Sequence, residues 1–577
     1  MNFSILNIQS TFVENTLNWL TVRHLGNLSN ATLIAMLLSS CGGGGGDAET
    51  VVVSQIPYIE KAYFRDRDAT IDQLSGAIHM SIRNAQGEAF TENLDVSVYW
   101  LDQQARPVGD PILQLVLNHP YNVALPNNTS VPEGVNKLLL LINNEDPQLA
   151  KQAVVKFDDF KGNAEVSGSG GNEKEAWYYG VDRPKILAYK SAAAGGTCQY
   201  DNGLVAVSDM NNRRDTNWES GVYSPGPNQV NEAAYPPYQF LCGESPINEY
   251  KAISDEIGVW TYSTLNDAMF YGTFVYDTFL KHLGEPPLED KIRLRVHYGY
   301  EFIVDAFWDG TYASFSDGYP SQYSTASLDV IAHEVAHGVL SRVSALTLFP
   351  NQLSVDGRTL HEAFSDISGV LIKHEFQYDE ADHLWIHGAE SHGATRRLDS
   401  ITTESAAVAS YFDYSEAGDN YYLRIGLITY PFYLLSNQWG VASAYQVFLH
   451  AAKTCWQADS TLPDAAKCII ESAGELGLPT QDVVTAFKAV KIKLFEEGVL
   501  SHFTHSTHGL QSEFTDNSQS TSVVSQWQWE FGDGSVSGEP NPVHQFATAG
   551  DYTVILKVLD QSGDQDTFQR IVTVTNE

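Results

Sequence analysis

The chain has 577 residues, with 71 acidic against 34 basic side chains and a formal net charge of −37. That length exceeds what one hydrophobic core serves and implies three or four domains. So negative a surface repels phosphate and excludes nucleic acid as a partner, whereas 43% hydrophobic and 18% charged residues are ordinary for globular protein.

Residues 31–41 form a short apolar run that ends in Cys41 and is followed by five Gly. The run is too short to span a bilayer as a permanent helix and suits the apolar part of an export signal. Leu38-Ser39-Ser40-Cys41 resembles a bacterial lipobox, in which the Cys becomes the acylated first residue. We read 1–41 as a signal segment with lipidation at Cys41 and ordinary secretion as the alternative. The stretch before it lacks Lys and carries Glu14, which points to a translation start near Val22. Nothing else resembles a membrane helix, so membrane contact is expected by lipid anchor only.

Over 48–160, Leu94-Asp-Val-Ser-Val-Tyr-Trp100 alternates as a half-buried strand does. Lys137-Leu-Leu-Leu-Leu-Ile142 and Ala153-Val-Val-Lys-Phe157 read as further strands, with Pro126-Asn-Asn128 and Asn143-Asn144 as turns. An antiparallel β-sandwich is expected there, carrying no chemistry. The Gly- and Ser-rich stretch 161–171 reads as flexible, giving a linker over 161–175. Strand patterns follow up to about residue 309, with a helix over 266–279, and the chain beyond Ser327 is mainly helical.

Two stretches carry candidate chemistry. Ser327 precedes an apolar-periodic helix containing His333-Glu334-Val335-Ala336-His337, and Ser327 is placed to cap it. Residues four apart share a helix face, so both imidazoles reach one metal ion with Glu334 beside them. A chance H-E-x-x-H is expected in roughly a few per cent of such chains, so the surroundings must decide. Downstream, Glu362 and Asp366 form a second i, i+4 pair. Glu362 can complete a two-His, one-carboxylate zinc set, and Asp366 can accept from the far ring nitrogen of a ligand His. Taken singly, each is equally well a buried His or a salt-bridged carboxylate.

His333 to Gly338 followed by Glu362-Ala-Phe-Ser-Asp366 resembles the thermolysin-like neutral metalloproteases, especially the vibriolysin and pseudolysin branch. Val296-His-Tyr-Gly299 and Asp305-Ala-Phe-Trp-Asp-Gly310 resemble that family's strand region. The likeness runs from about residue 178 to 494. It implies a β-rich lobe followed by a helical lobe over 176–500, with Zn2+ at the floor of the cleft between them. It also implies peptide hydrolysis in which Glu334 takes a proton from the attacking water and passes it to the leaving amine. Arg396 matches the family's substrate-binding Arg, with Arg397 as the neighbouring alternative, and Asp305 with Ala306 falls where the substrate backbone is held. Cys198 and Cys242 lie in the first lobe, Cys455 and Cys468 in the second. Two lobe-internal disulfides plus Cys41 then account for all five Cys.

Four departures from the family stand out. Alignment on Gly426 and Phe432-Tyr-Leu-Leu435 puts Tyr422 where the catalytic His belongs, and a phenol can donate to an oxyanion. Asp305 replaces an Asn and, ionised, cannot donate to a carbonyl. The spacing from His337 to Glu362 is longer than usual, and Phe349 lacks the hydroxyl of the family's Tyr donor. Lys373 stands where a calcium ligand is expected, although Asp329 matches another; Ca2+ is therefore doubtful.

A polar, His-rich connection over 501–508 leads to Trp527-Gln-Trp-Glu-Phe-Gly-Asp-Gly534 and later alternating strands. Residues 509–577 resemble a PKD β-sandwich, implying attachment to insoluble protein or polysaccharide, or a spacer. The expected whole is an exported, lipid-anchored, multidomain zinc endopeptidase acting on proteins or peptides. An inactive zinc-binding homologue serving as a surface adhesin or scaffold is the runner-up. A purely structural zinc site fits poorly, because such sites prefer four protein ligands.

Overall fold

Three separate apolar cores organise the computed structural model. It describes residues 57–576 except 69–71, 85–88, 103, 143–150, 173–175, 192–195, 215–229, 244–250, 255–258, 300–305, 319–321, 349–352, 378–382, 392–395, 402–407 and 495–497. Cys41 with its lipobox, Asn143-Asn144, Asp305 and Phe349 lie outside the described residues.

The first core is a sandwich whose strands turn mostly alternate side chains inward, although Ser97 and Leu101 are buried as well. Leu94–Leu101 buries Val96, Val98 and Trp100 and sits between Pro107–Leu117 and Lys137–Ile142, which in turn pairs with Lys151–Lys156, all antiparallel. A second antiparallel sheet of Tyr58–Phe64, Gln73–Arg83 and Asn122–Ser130 supplies Phe64, Ile78 and Val123 to the same core. One expectation fails: Pro126-Asn-Asn128 is not a turn but lies within Asn122–Ser130. There the register shifts opposite Leu74/Gly76, and Asn128 takes φ 60°. A bulge absorbs turn-forming residues without ending the strand.

The stretch 161–171 is not a flexible linker. Ala164–Val166 pairs with Ile186–Lys190, and Gly168–Gly170 pairs with Trp177–Tyr179. Its glycines serve close approach rather than freedom. A Cβ on Gly170 would fall 2.4 Å from the Tyr179 ring and 2.5 Å from Asp267 Oδ1. The Gly171 N–H donates to both Asp267 oxygens, at 3.0 and 2.9 Å. Composition alone suggests a loose segment; the partners that this backbone must touch make it a tight one.

The second core runs unbroken from Phe160 to Ile492, so strand-rich and helical parts share one interior. Val205–Arg213 and Ile292–Tyr298 are parallel neighbours, which requires a crossover. Helix α1 (Thr264–Leu283) makes it, longer at both ends than the expected 266–279. Ser263 accepts from the Asn266 N–H at its start, and Gly284 closes it at φ 75°. Ala313–Phe315 and then Ala306–Trp308 complete this sheet, with Ala306–Trp308 at its edge. Helices α2 (Leu328–Val343) and α3 (Val355–Phe376) lie side by side behind it, followed by α4 (Gly426–Trp439), α5 (Val441–Thr454), α6 (Leu462–Glu475) and α7 (Thr480–Ala489). Disulfides join Cys198 to Cys242 and Cys455 to Cys468, as the resemblance implied.

The third core belongs to a C-terminal β-sandwich. It gathers around Phe514, Trp529 and Phe531, with Val554 and Leu556 supplied by the strand Gly550–Asp560. Residues 501–508 are not a connection: Phe503–His508 is a strand of this module, paired with Gln511–Asp516. Trp529 is core, and the Trp527 indole N–H donates to Asp516 Oδ2 at 2.6 Å, so neither ring is a free sticky surface.

Gly170→Ala is expected to destabilise the protein by about 1–3 kcal/mol through overpacking. Urea unfolding measures this; a neutral result would return the stretch to a linker.

Candidate metal centre

The sequence of α2 buries almost every side chain of its first three turns, polar ones included. His333, Glu334 and His337 are 4, 5 and 6% exposed. Ser327 holds the N-cap position but does not cap: its hydroxyl donates instead to Asp329 Oδ1 at 2.9 Å. On α3 the cap is made, with Ser354 Oγ accepting from the Gly357 N–H at 2.9 Å. This places Glu362 opposite the two imidazoles.

Glu362 Oε2 lies 3.3 Å from His333 Nε2, and Oε1 lies 3.9 Å from His337 Nε2. A tetrahedral ion with bonds of about 2.0–2.1 Å has ligand-to-ligand edges of roughly 3.3–3.4 Å. One edge matches and the other is slightly open, so the donor set fits a zinc-sized cation. His333, Glu334 and His337 also offer atoms within 4.8 Å of one another. Burial opposes a charge on His333, but Asp366 and Glu362 outweigh it and push its pKa up to about 10. Burial alone would also raise Glu362, yet the two imidazoles bring it down to about 2. The carboxylates thus favour positive charge at His333, while burial brings His337 down to about 4.

The outer nitrogens of both imidazoles face polar neighbours. His333 Nδ1 lies 2.9 Å from Asp366 Oδ1, as the sequence suggested. Arg396 grips the same carboxylate with both arms, Nε to Oδ2 at 2.9 Å and Nη2 to Oδ1 at 2.8 Å. Both arms are thereby committed to Asp366, and 27% of the side chain is exposed. His387 adds a third buried imidazole, its ring 4.8 Å from that of His333 and its Nδ1 3.5 Å from Asp366 Oδ1.

Sequence reasoning missed His361. It is fully buried, and its Nδ1 lies 2.7 Å from His337 Nδ1. Two such nitrogens need one proton between them. If Nε2 of His337 faces a metal, its Nδ1–H donates and His361 Nδ1 accepts. His361 Nε2–H then points at Ser341 Oγ, 3.4 Å away, whose hydroxyl donates to the His337 carbonyl at 2.8 Å. Burial and the adjoining His337 hold His361 well below the usual imidazole range, consistent with this neutral tautomer.

Tyr422 follows on a 3₁₀ turn, Tyr421–Arg424, with its ring 5.8 Å from the Arg396 guanidinium and 4.4 Å from Tyr421. Although 45% of the residue is exposed, burial of its hydroxyl end and the charge of Glu362 push the phenol well above its usual pKa. It stays neutral and keeps its proton to donate. Ala306 lies in the edge strand noted above.

The residues around Asp329 do not suit a divalent ion. Lys373, 4% exposed, sets its ammonium 3.1 Å from Asp329 Oδ2, 2.8 Å from the His383 carbonyl and 2.7 Å from that of Ile386. The Gly388 N–H donates to the same Asp329 oxygen at 2.9 Å. A divalent ion there would meet a fixed positive charge.

Two buried imidazoles and a carboxylate, delivered by neighbouring helices with a glutamate between the imidazoles, define a metallopeptidase-type centre. Residues 178–341 match the thermolysin metallopeptidase catalytic domain and residues 356–492 its alpha-helical domain. The chain belongs to that family, and residues 502–575 match a PKD domain. It is 31% identical over 336 residues to the neutral protease of Vibrio proteolyticus, covering 57% of this chain and 49% of that protein. It is 31% identical over 333 residues to the virulence metalloprotease of Vibrio anguillarum, covering 56% and 49%. A zinc metalloproteinase of Legionella pneumophila is 26% identical over 364 residues, covering 59% and 62%. The chain thus spans about half the length of the Vibrio relatives.

Removing calcium with a selective chelator is expected to leave the thermal midpoint unchanged. Lys373→Met, which strands the Asp329 charge, should cost about 3–5 kcal/mol. A midpoint that falls on chelation in the wild type would contradict this.

Proposed function

We propose that the chain is an exported zinc endopeptidase. The observation that carries this reading is Glu362 lying 3.3 and 3.9 Å from the inward nitrogens of His333 and His337. His333, His337 and Glu362 would hold a zinc ion. Zinc, when bound, polarises the scissile carbonyl and lowers the pKa of a water molecule to about 7. Glu334, beside the imidazoles, takes the proton from the attacking water and returns it to the leaving nitrogen. Tyr422 donates to the developing oxyanion, a role its neutral phenol suits. Arg396 fixes Asp366, which orients His333, and turns its exposed edge to the substrate. The edge strand at Ala306 receives an extended peptide by main-chain pairing.

Two disulfides favour an oxidising compartment. Cys41 supplies the lipid anchor; among the described residues no helix is long and apolar enough to cross a membrane. The PKD domain is read as a means of attachment to insoluble protein or polysaccharide. An inactive adhesin or scaffold is less favoured, because neither needs a general base set beside a metal-binding trio.

Glu334→Gln should abolish casein hydrolysis while zinc content stays at that of the wild type; wild-type activity in this variant would refute the assigned base. Tyr422→Phe should lower kcat about 10²–10³-fold with little change in KM. Unaltered kinetics would make Tyr422 a packing residue.

A further inference from the structure

The PKD domain does not hang from the catalytic domain; it is docked on it through reciprocal buried charges. Asp413 of the catalytic domain lies in the 3₁₀ stretch Tyr411–Ala417, its side chain 6% exposed. It accepts from His502 Nε2 at 2.8 Å and pairs with Arg570, both from the PKD domain. In the opposite sense Lys491, just beyond α7 and 3% exposed, reaches Asp566 Oδ2 at 2.5 Å and the Thr567 carbonyl at 2.8 Å. Asp566 also accepts from the Ser501 N–H at 2.7 Å. Between the two pairs the rings of Phe412 and Phe568 each lie 4.9 Å from His502. Removing one partner of a pair this buried leaves a charge without water, so the seam has a strong preference for the docked state.

The docked segment leads directly to the active centre. Tyr414, one residue from Asp413, donates to Asp356 Oδ1, and Arg424 reaches the same oxygen at 3.3 Å. Asp356 is in the first turn of α3, which carries Glu362. Arg424 ends the 3₁₀ turn that carries Tyr422. One rigid set of contacts therefore links the PKD face, the Tyr422 turn and the start of the Glu362 helix.

We infer that the PKD domain is an intramolecular buttress of the catalytic centre, with Asp413 and Arg570 acting as positioning residues for Tyr422. This rests on the peptidase reading above. The test uses the full chain and a short soluble peptide that needs no attachment surface. In Arg570→Glu, kcat should fall about tenfold or more with KM nearly unchanged, a loss typical of coupled sites. Zinc content should hold, and amide hydrogen exchange should quicken in residues 411–424. Arg570→Lys, which keeps the charge, should recover most of the rate. If Arg570→Glu does not fold, Arg570→Gln carries the same test. Wild-type kcat and wild-type exchange in the variant would overturn the inference. If the wild type itself cleaves no peptide, the peptidase reading fails and the exchange measurement alone decides the buttress.

Discussion

Everything at the centre follows from one constraint: ionisable groups shut away from water must neutralise each other where they meet. Helices α2 and α3 bring two imidazoles and two carboxylates, each less than a tenth exposed, to one point. Asp366 is answered by Arg396, and Glu362 by whatever positive charge sits between the imidazoles. The geometry is stiff because each group has a second partner. Arg396 clamps Asp366, and His361 backs His337. Ring orientation here is set by these outer neighbours rather than by an ion.

The same logic explains which features could be read from the sequence. His333, His337, Glu362 and Asp366 were legible because helical period turns a spacing of four into a shared face. His361 was not. It adjoins Glu362, yet a step of one residue rotates a side chain about 100° around a helix, so it faces α2 rather than the ion. A lone histidine carries no pattern that reveals this. Tyr422 was found only through alignment on Gly426, and its contact with the Arg396 side had no local signal.

The misreadings share a cause. Glycines at 168–171 and polar residues at 501–508 look like spacers when only composition is weighed. Both stretches contain strands whose partners no local pattern announces. Backbone pairing decides such segments, and composition is blind to it. The Asp413–Arg570 and Lys491–Asp566 pairs are the extreme case, since residues so far apart carry no periodic trace of their meeting.

Docking of the PKD domain also has a consequence in time. Domains generally fold as units, amino end first. His502 and Arg570 follow Asp413 in the chain, so this buried carboxylate meets its partners only once the last domain has formed. Until then water alone answers its charge, which makes residues 411–417 the last part of the helical domain to settle.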